Sequence, residues 1–326
     1  MTDTAGRVTG GPATHGPTTH GPTTHGPTTH GAATDGLGTL TQAELEDQPA
    51  AWKTAAALVP TIAETVSAAQ GRLAAVGCGT SYYMGGAYAE LREQAGLGEA
   101  DAFVASRVPP GRTYDVLLAI SRSGTTRDLV EAMIATPPGT RRIALTGTPK
   151  SPVAEAADEV VGLSFADEKS VVQTRFATTG LALLRGFLGT DLGTLAAEAE
   201  DALRAPLPEV GAYDHLVFLG SGWASWLAAE AALKLREMTC AMTESYLDVE
   251  YEHGPVSVAS PGTLVWSLGP LAAQVRTSIE RTGAHIVDSE RDPMAELVRV
   301  HRYGVALARA KGIDCDTPRF LRRSVD

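Results

Sequence analysis

Basic residues are too few in this 326-residue chain for it to follow a nucleic-acid backbone: 27 Lys and Arg face 38 Asp and Glu, a formal charge of -11, with few basic clusters. Phosphate backbones demand Lys and Arg, so DNA and RNA partners are excluded. Cysteine is scarce too. Cys78, Cys240 and Cys315 are odd in number, widely spaced and free of any C-x-x-C pattern, and they read as reduced thiols of a cytoplasmic protein. No apolar stretch is long enough to span a bilayer and no signal peptide opens the chain, so no membrane association is expected. A Gly-Lys-Ser/Thr ending is missing, and no carboxylate pair ends a strand to hold magnesium. Gly77-Cys-Gly79-Thr-Ser-Tyr lacks the third glycine of a dinucleotide fingerprint. Nucleotide binding is disfavoured, and neither a cofactor nor a metal is expected at the site.

The first 38 residues form a leader that repeats Thr-His-Gly-Pro-Thr and places His15, His20, His25 and His30 at regular intervals. With almost no apolar side chains to bury, it is expected to be disordered. Its imidazoles favour at most weak transition-metal binding, because nothing fixes the ligand geometry. Roughly 285 residues then remain, more than one domain of ordinary size. Apolar residues make up 44% of the chain, enough for two buried cores. Domains are expected at 39–195 and 196–326.

From Leu40 on, helical and strand patterns alternate: helix over 41–70, strands over 72–76, 102–105, 116–121, 142–146 and 159–164, with helices between them and a long one over 174–188. Apolar runs such as Val-Leu-Leu-Ala-Ile predict parallel strands covered on both faces, hence an α/β fold. The pattern occurs twice. Leu73-Ala-Ala-Val-Gly77-Cys-Gly79 and Leu216-Val-Phe-Leu-Gly220-Ser-Gly222 share strand, Gly-x-Gly and helix, and a second strand follows each at a similar offset, over 115–121 and 263–269. Between Asp288 and His301 the sequence is helix-like where a further strand would be expected, so the second sheet should be the smaller.

Ligands of open parallel sheets bind at the carboxyl ends of the strands. There the first copy has hydroxyl-rich loops, Gly79-Thr80-Ser81 and Ser121-Arg122-Ser123-Gly-Thr-Thr126. Hydroxyls and backbone N–H groups at helix starts suit one phosphate, although the same residues also serve as N-caps of ordinary turns. The second copy carries Glu230, Lys234 and Glu237 on one helix and His253 at the head of a Gly-Pro turn. A carboxylate and an imidazole make a proton-handling pair for opening a sugar ring and moving a proton between adjacent carbons. The plain alternative is a surface helix with solvated ion pairs at i, i+4 and i+7. His215, His285 and His301 are expected to be structural.

Taken together, these motifs resemble the double sugar-isomerase (SIS) domain proteins, including the isomerase half of glucosamine-6-phosphate synthase and the amino-sugar-phosphate deaminase/isomerases. The resemblance runs from about residue 45 to the end and implies two tandem three-layer α/β/α domains with parallel sheets. It implies that Gly79, Thr80, Ser81, Ser121, Arg122, Ser123 and Thr126 hold the substrate phosphate. Val171-Val-Gln173-Thr-Arg175 matches a loop that lies along the sugar, and Glu230 is a further substrate-binding candidate. Lys234-Leu-Arg-Glu237 matches the helix whose glutamate shuttles a proton between C1 and C2, with Lys234 beside it. Glu252-His253-Gly-Pro matches a ring-opening histidine that reaches the neighbouring subunit's site, implying a homodimer. Asp316-Thr-Pro-Arg319-Phe-Leu-Arg-Arg323 matches the tail that closes over the sugar.

Where the synthases carry a lysine this chain has Arg323, and an arginine forms no imine with an open-chain sugar. A glutaminase part and its N-terminal nucleophilic cysteine are absent from the sequence, so glutamine is not the expected nitrogen source. The expected substrate is a hexosamine 6-phosphate, from which Glu237 takes the C2 proton. Isomerisation, loss of ammonia and loss of water all remain open from there, and so does a non-catalytic sugar-phosphate sensor.

Overall fold

A computed structural model describes residues 36–67 and 71–323; the leader and its four histidines lie outside the described residues up to position 35. The helical stretch expected over 41–70 is three helices, α1 (Thr39–Glu46), α2 (Gln48–Ala56) and α3 (Val59–Ser67). Pro49 and Pro60 explain the breaks. Each stands at the second position of its helix, where a residue without an N–H begins a helix well but cannot continue one.

The first sheet holds β1 (Leu73–Gly77), β2 (Ala100–Val104), β3 (Val116–Ser121), β4 (Arg141–Thr146) and β5 (Glu159–Gly162), in the spatial order 2-1-3-4-5. Every pairing is parallel, with Leu73 opposite both Ala100 and Val116. α4 (Thr80–Gln94), α5 (Arg127–Ile134), α6 (Pro152–Glu155), α7 (Arg175–Phe187) and α8 (Leu192–Ala202) follow in chain order. Chain beyond α8 builds the second sheet from β6 (His215–Gly220), β7 (Met242–Leu247), β8 (Thr263–Ser267) and β9 (His285–Val287), in the order 7-6-8-9, again all parallel. With them come α9 (Ala224–Thr239), α10 (Ala273–Glu280) and α11 (Pro293–Ala310). The second order repeats the first and stops one strand short. α11 occupies the stretch where the sequence turns helix-like.

The repeat extends to backbone detail. Gly79 and Gly222 close equivalent turns at φ +53° and +52°, a left-handed region that suits glycine. Gly77 and Gly220 end equivalent strands, where a Cβ would lie 2.7 Å from the Ser81 carbonyl carbon and 2.3 Å from the Ala224 carbonyl oxygen. Each helix can therefore press against its strand end only over glycine.

Both sheets lie within one compact unit of the described residues. Core side chains from both, such as Leu118 and Ile120 of β3 and Phe218 and Trp266 of the second sheet, belong to one continuous apolar cluster. The division drawn at 195/196 falls inside α8. The carboxyl-terminal segment returns to the start of the fold: the Asp316 carboxylate accepts the Leu40 and Thr41 amides at 2.9 and 2.7 Å, and Asp314 accepts that of Gly38 at 2.9 Å. These acids satisfy the first free N–H groups of α1, which has no capping side chain of its own.

Candidate active site

At the carboxyl ends of β1 and β3, a cavity of about 330 Å³ opens between the first sheet, α9 and the chain's last described residues. That volume suits a small ligand. Gly79, Thr80, Ser81, Ser121, Arg122, Ser123, Thr126, Gln173, Lys234, Glu237 and Arg323 all line it. Residues nearly 250 positions apart are brought together because the two repeats share a core and the tail folds back across the first sheet.

The hydroxyl loop is shaped by its own hydrogen bonds. Buried Ser121 Oγ accepts the Gly124 N–H at 3.0 Å, which holds the turn. Ser123 Oγ accepts the Thr125 N–H at 3.3 Å and the Thr125 hydroxyl at 3.1 Å, and its own proton is left to donate. Besides Arg122, whose guanidinium is turned to backbone carbonyls, four basic side chains line the cavity, Arg127, Lys234, Arg322 and Arg323, against the two acids Asp128 and Glu237. The local balance is thus the reverse of the net charge and favours an anion.

Glu237 shows 18% of its side chain to solvent and accepts a hydrogen bond from Lys234, which shows 1%. The i, i+3 spacing on α9 makes the pair. Burial pulls the Lys234 ammonium pKa down, but the Glu237 and Glu230 carboxylates outweigh that and leave it raised, so the lysine stays charged. The arrangement is a carboxylate at the cavity wall, oriented by a buried cation: a suitable base for a carbon-bound proton.

Glu230 stands elsewhere than a substrate contact would. It is buried behind Lys234, 3.8 Å from the ammonium, and does not line the cavity. Burial lifts its pKa to about 8, with Lys234 opposing and Glu237 adding to the rise. The Thr80 hydroxyl is near enough to ease that rise, yet neither carboxylate oxygen makes a hydrogen bond of normal geometry. His301, buried on α11, is held neutral by burial and by Lys234, its pKa pushed down to about 3. Its Nδ1 lies 3.4 Å from Gln48 Nε2, as befits a core histidine.

His253 closes a 3-10 turn after β7 (Asp248–His253); it is exposed and outside the cavity. Arg323 lies at the cavity, with its guanidinium bound to both oxygens of Asp167 at 2.9 Å. Cys78, Ile120, Arg127, Asp128, Val171, Leu321 and Arg322 complete the lining without having been singled out among the site candidates. Position alone would have found several: Arg127 and Asp128 directly follow Thr126 at the start of α5, and Cys78 stands inside the Gly-x-Gly turn. Burial raises the Cys78 thiol pKa, so it is a poor nucleophile.

No protein-family model matches the chain. A solved glucosamine-6-phosphate deaminase from Thermotoga maritima superposes with a TM-score of 0.73 at 21% identity, covering 88% of this chain and 99% of that one. The chain has the sugar-isomerase (SIS) fold, α/β with parallel sheets flanked by helices. The C-terminal domain of glucosamine-fructose-6-phosphate aminotransferase from Francisella tularensis also superposes at 0.73, with 19% identity and 88% and 100% coverage. Among curated proteins, the glutamine–fructose-6-phosphate aminotransferase (isomerizing) of Caulobacter vibrioides is 26% identical over 353 aligned positions, covering 87% of this chain and 58% of the relative. The chain spans about half the length of the curated relatives it matches. The resemblance read from the motifs is thereby borne out. Among the described residues no helix is long and apolar enough to cross a membrane.

Proposed function

We propose that this chain is a cytoplasmic sugar-phosphate enzyme acting on a hexosamine 6-phosphate, with Glu237 as the base that removes the C2 proton. One observation carries the reading: a carboxylate oriented by a buried lysine opens on the same cavity as two hydroxyl loops set at strand ends. The loops receive the phosphate through Ser81, Ser123, Thr126 and the N–H groups at the helix starts. Gln173, whose buried Oε1 has no partner among the described residues, lies along the sugar. A sensor has no use for a base, so the Lys234 and Glu237 pair favours an enzyme over a binding module.

The proton abstracted by Glu237 leaves an enediol or enolamine, from which isomerisation, deamination and dehydration diverge. Because Arg323 forms no imine and is already paired with Asp167, we place the chemistry with Glu237 and not with the tail. In the proposed homodimer His253 opens the ring in the neighbouring subunit's site. Support comes from the neighbouring sequence: Leu247, Val249 and Val258 are all exposed, and exposed apolar side chains suit cover by another chain. The two sheets are proposed as two sugar-isomerase domains, 39–195 and 196–326, the first for the phosphate and the second for the base.

Mass spectrometry of products from a panel of free and acetylated hexosamine 6-phosphates tests the reading. Conversion of a phosphorylated amino sugar, lost in Glu237→Gln, is the expected result. Tight binding of the panel with no conversion of any member would favour the sensor.

A further inference from the structure

Arg122 stands in the middle of the hydroxyl loop, where a phosphate ligand is expected, but its guanidinium is directed elsewhere. Nη1 donates to the Ser170 carbonyl at 2.9 Å and the Val171 carbonyl at 3.3 Å, and Nη2 donates to the Arg323 carbonyl at 2.8 Å. The side chain is 1% exposed. We infer that Arg122 is a positioning residue that ties the carboxyl-terminal strap, residues 321–323, and the 167–173 loop to the hydroxyl loop, and is not a ligand of the substrate phosphate.

Three physical points support this. A guanidinium is a planar, rigid fork, so turning it toward the cavity gives up all three carbonyls together. Those carbonyls would be left short of donors in a partly buried place, which disfavours the turn. Secondly, the loop reached by Arg122 is already anchored from behind: the Glu44 carboxylate on α1 accepts the Lys169 and Ser170 amides, and Glu168 accepts the Thr174 and Arg175 amides at 2.7 Å each. It is a fixed post to which a strap can be tied. Thirdly, the strap is held at a second point by the Arg323 to Asp167 pair on that same loop. Leu321, Arg322 and Arg323 thus form a cavity wall whose placement depends on Arg122 and Asp167. One N–H of Arg122, on Nε, is buried without a partner; it is a minor share of a side chain otherwise bound to backbone.

The inference rests on the reading of the cavity as a sugar-phosphate site, and its test separates the two. Amide exchange in the carboxyl-terminal peptide and binding of inorganic phosphate are measured on the full chain for wild type, Arg122→Ala, Arg122→Lys and Asp167→Asn. Loss of hydrogen bonds to a charged group should speed strap exchange about tenfold or more in Arg122→Ala. Arg122→Lys, which keeps an ammonium near the carbonyls, should recover part of the protection, and Asp167→Asn should loosen the strap less. Phosphate affinity should stay within about twofold throughout, where a direct charged ligand would cost about tenfold or more. The inference is overturned if strap exchange in Arg122→Ala matches wild type. It is equally overturned if Asp167→Asn loosens the strap at full phosphate affinity while Arg122→Ala loses that affinity. Were wild type not to bind phosphate, the cavity reading would fail, and the exchange data would still decide the anchor.

Discussion

Lys234 Nζ lies 3.8 Å from Glu230 Oε1, with both side chains almost wholly out of water. Their attraction does not offset the burial of Glu230, whose pKa stands at about 8. A carboxyl raised in this way contributes stability in its protonated form, fully present below the unfolded value near 4.5 and lost as pH rises through about 8. Glu230→Gln mimics the protonated acid permanently. The variant should melt close to wild type at pH 4 and higher than wild type at pH 9, by about 2 °C or more. A difference in melting temperature that does not change between the two pH values would show that Glu230 keeps an ordinary carboxyl pKa in the fold.

Glu237→Gln keeps the shape and the contact with Lys234 but removes the proton acceptor. Turnover should fall by about 10²–10⁴, the usual contribution of a general base, while substrate affinity survives. Steady-state kinetics with direct binding measurements check this, and near-normal turnover would remove Glu237 from the role.

The strands beside these residues were the most legible part of the chain. Val116–Ser121 is buried along its whole length, so an unbroken apolar run announced it at its true limits. The edge strand β7, Met242-Thr-Glu-Ser-Tyr-Leu, is half exposed and carries no such signal, because only one side pairs and little of it reaches the core. The hydroxyl loops and the α9 acids were legible from residue type and spacing. What surrounds them was not: Arg122 and Arg323 are 201 positions apart, Asp167 and Arg323 are 156 apart, and nothing local in either segment points to the other. Glu230 misled for a related reason. Helical spacing puts it on the same face as Lys234 and Glu237, but the packing of α9 against its neighbours decides how deep each turn lies.

Phosphate recognition is probed by Ser123→Ala. Its hydroxyl accepts from Thr125 and keeps a proton to donate, so its loss should weaken binding of phosphorylated sugars by about 1.5–3 kcal/mol. Unphosphorylated sugars should be nearly unaffected. Competition assays with both classes decide the matter, and equal losses would mean that the loop holds another part of the ligand.

Sharing of the site between subunits has a distinct signature, because His253 lies outside its own chain's cavity while Glu237 lines it. Glu237→Gln and His253→Ala should each be nearly inactive alone. In a mixed dimer of the two variants, one site collects both substitutions and the other has neither, since the site with an intact Glu237 receives its histidine from the chain that still carries it. Random reassociation of an equal mixture makes half the dimers mixed, so activity should recover to about a quarter of wild type, as a two-fold symmetric pairing requires. The variants are unfolded, mixed and refolded together, with each refolded separately as the control. Recovery would establish that His253 serves the partner's site; no recovery, with dimers present and each variant folded, would confine each site to one chain and leave ring opening to a residue already at the cavity.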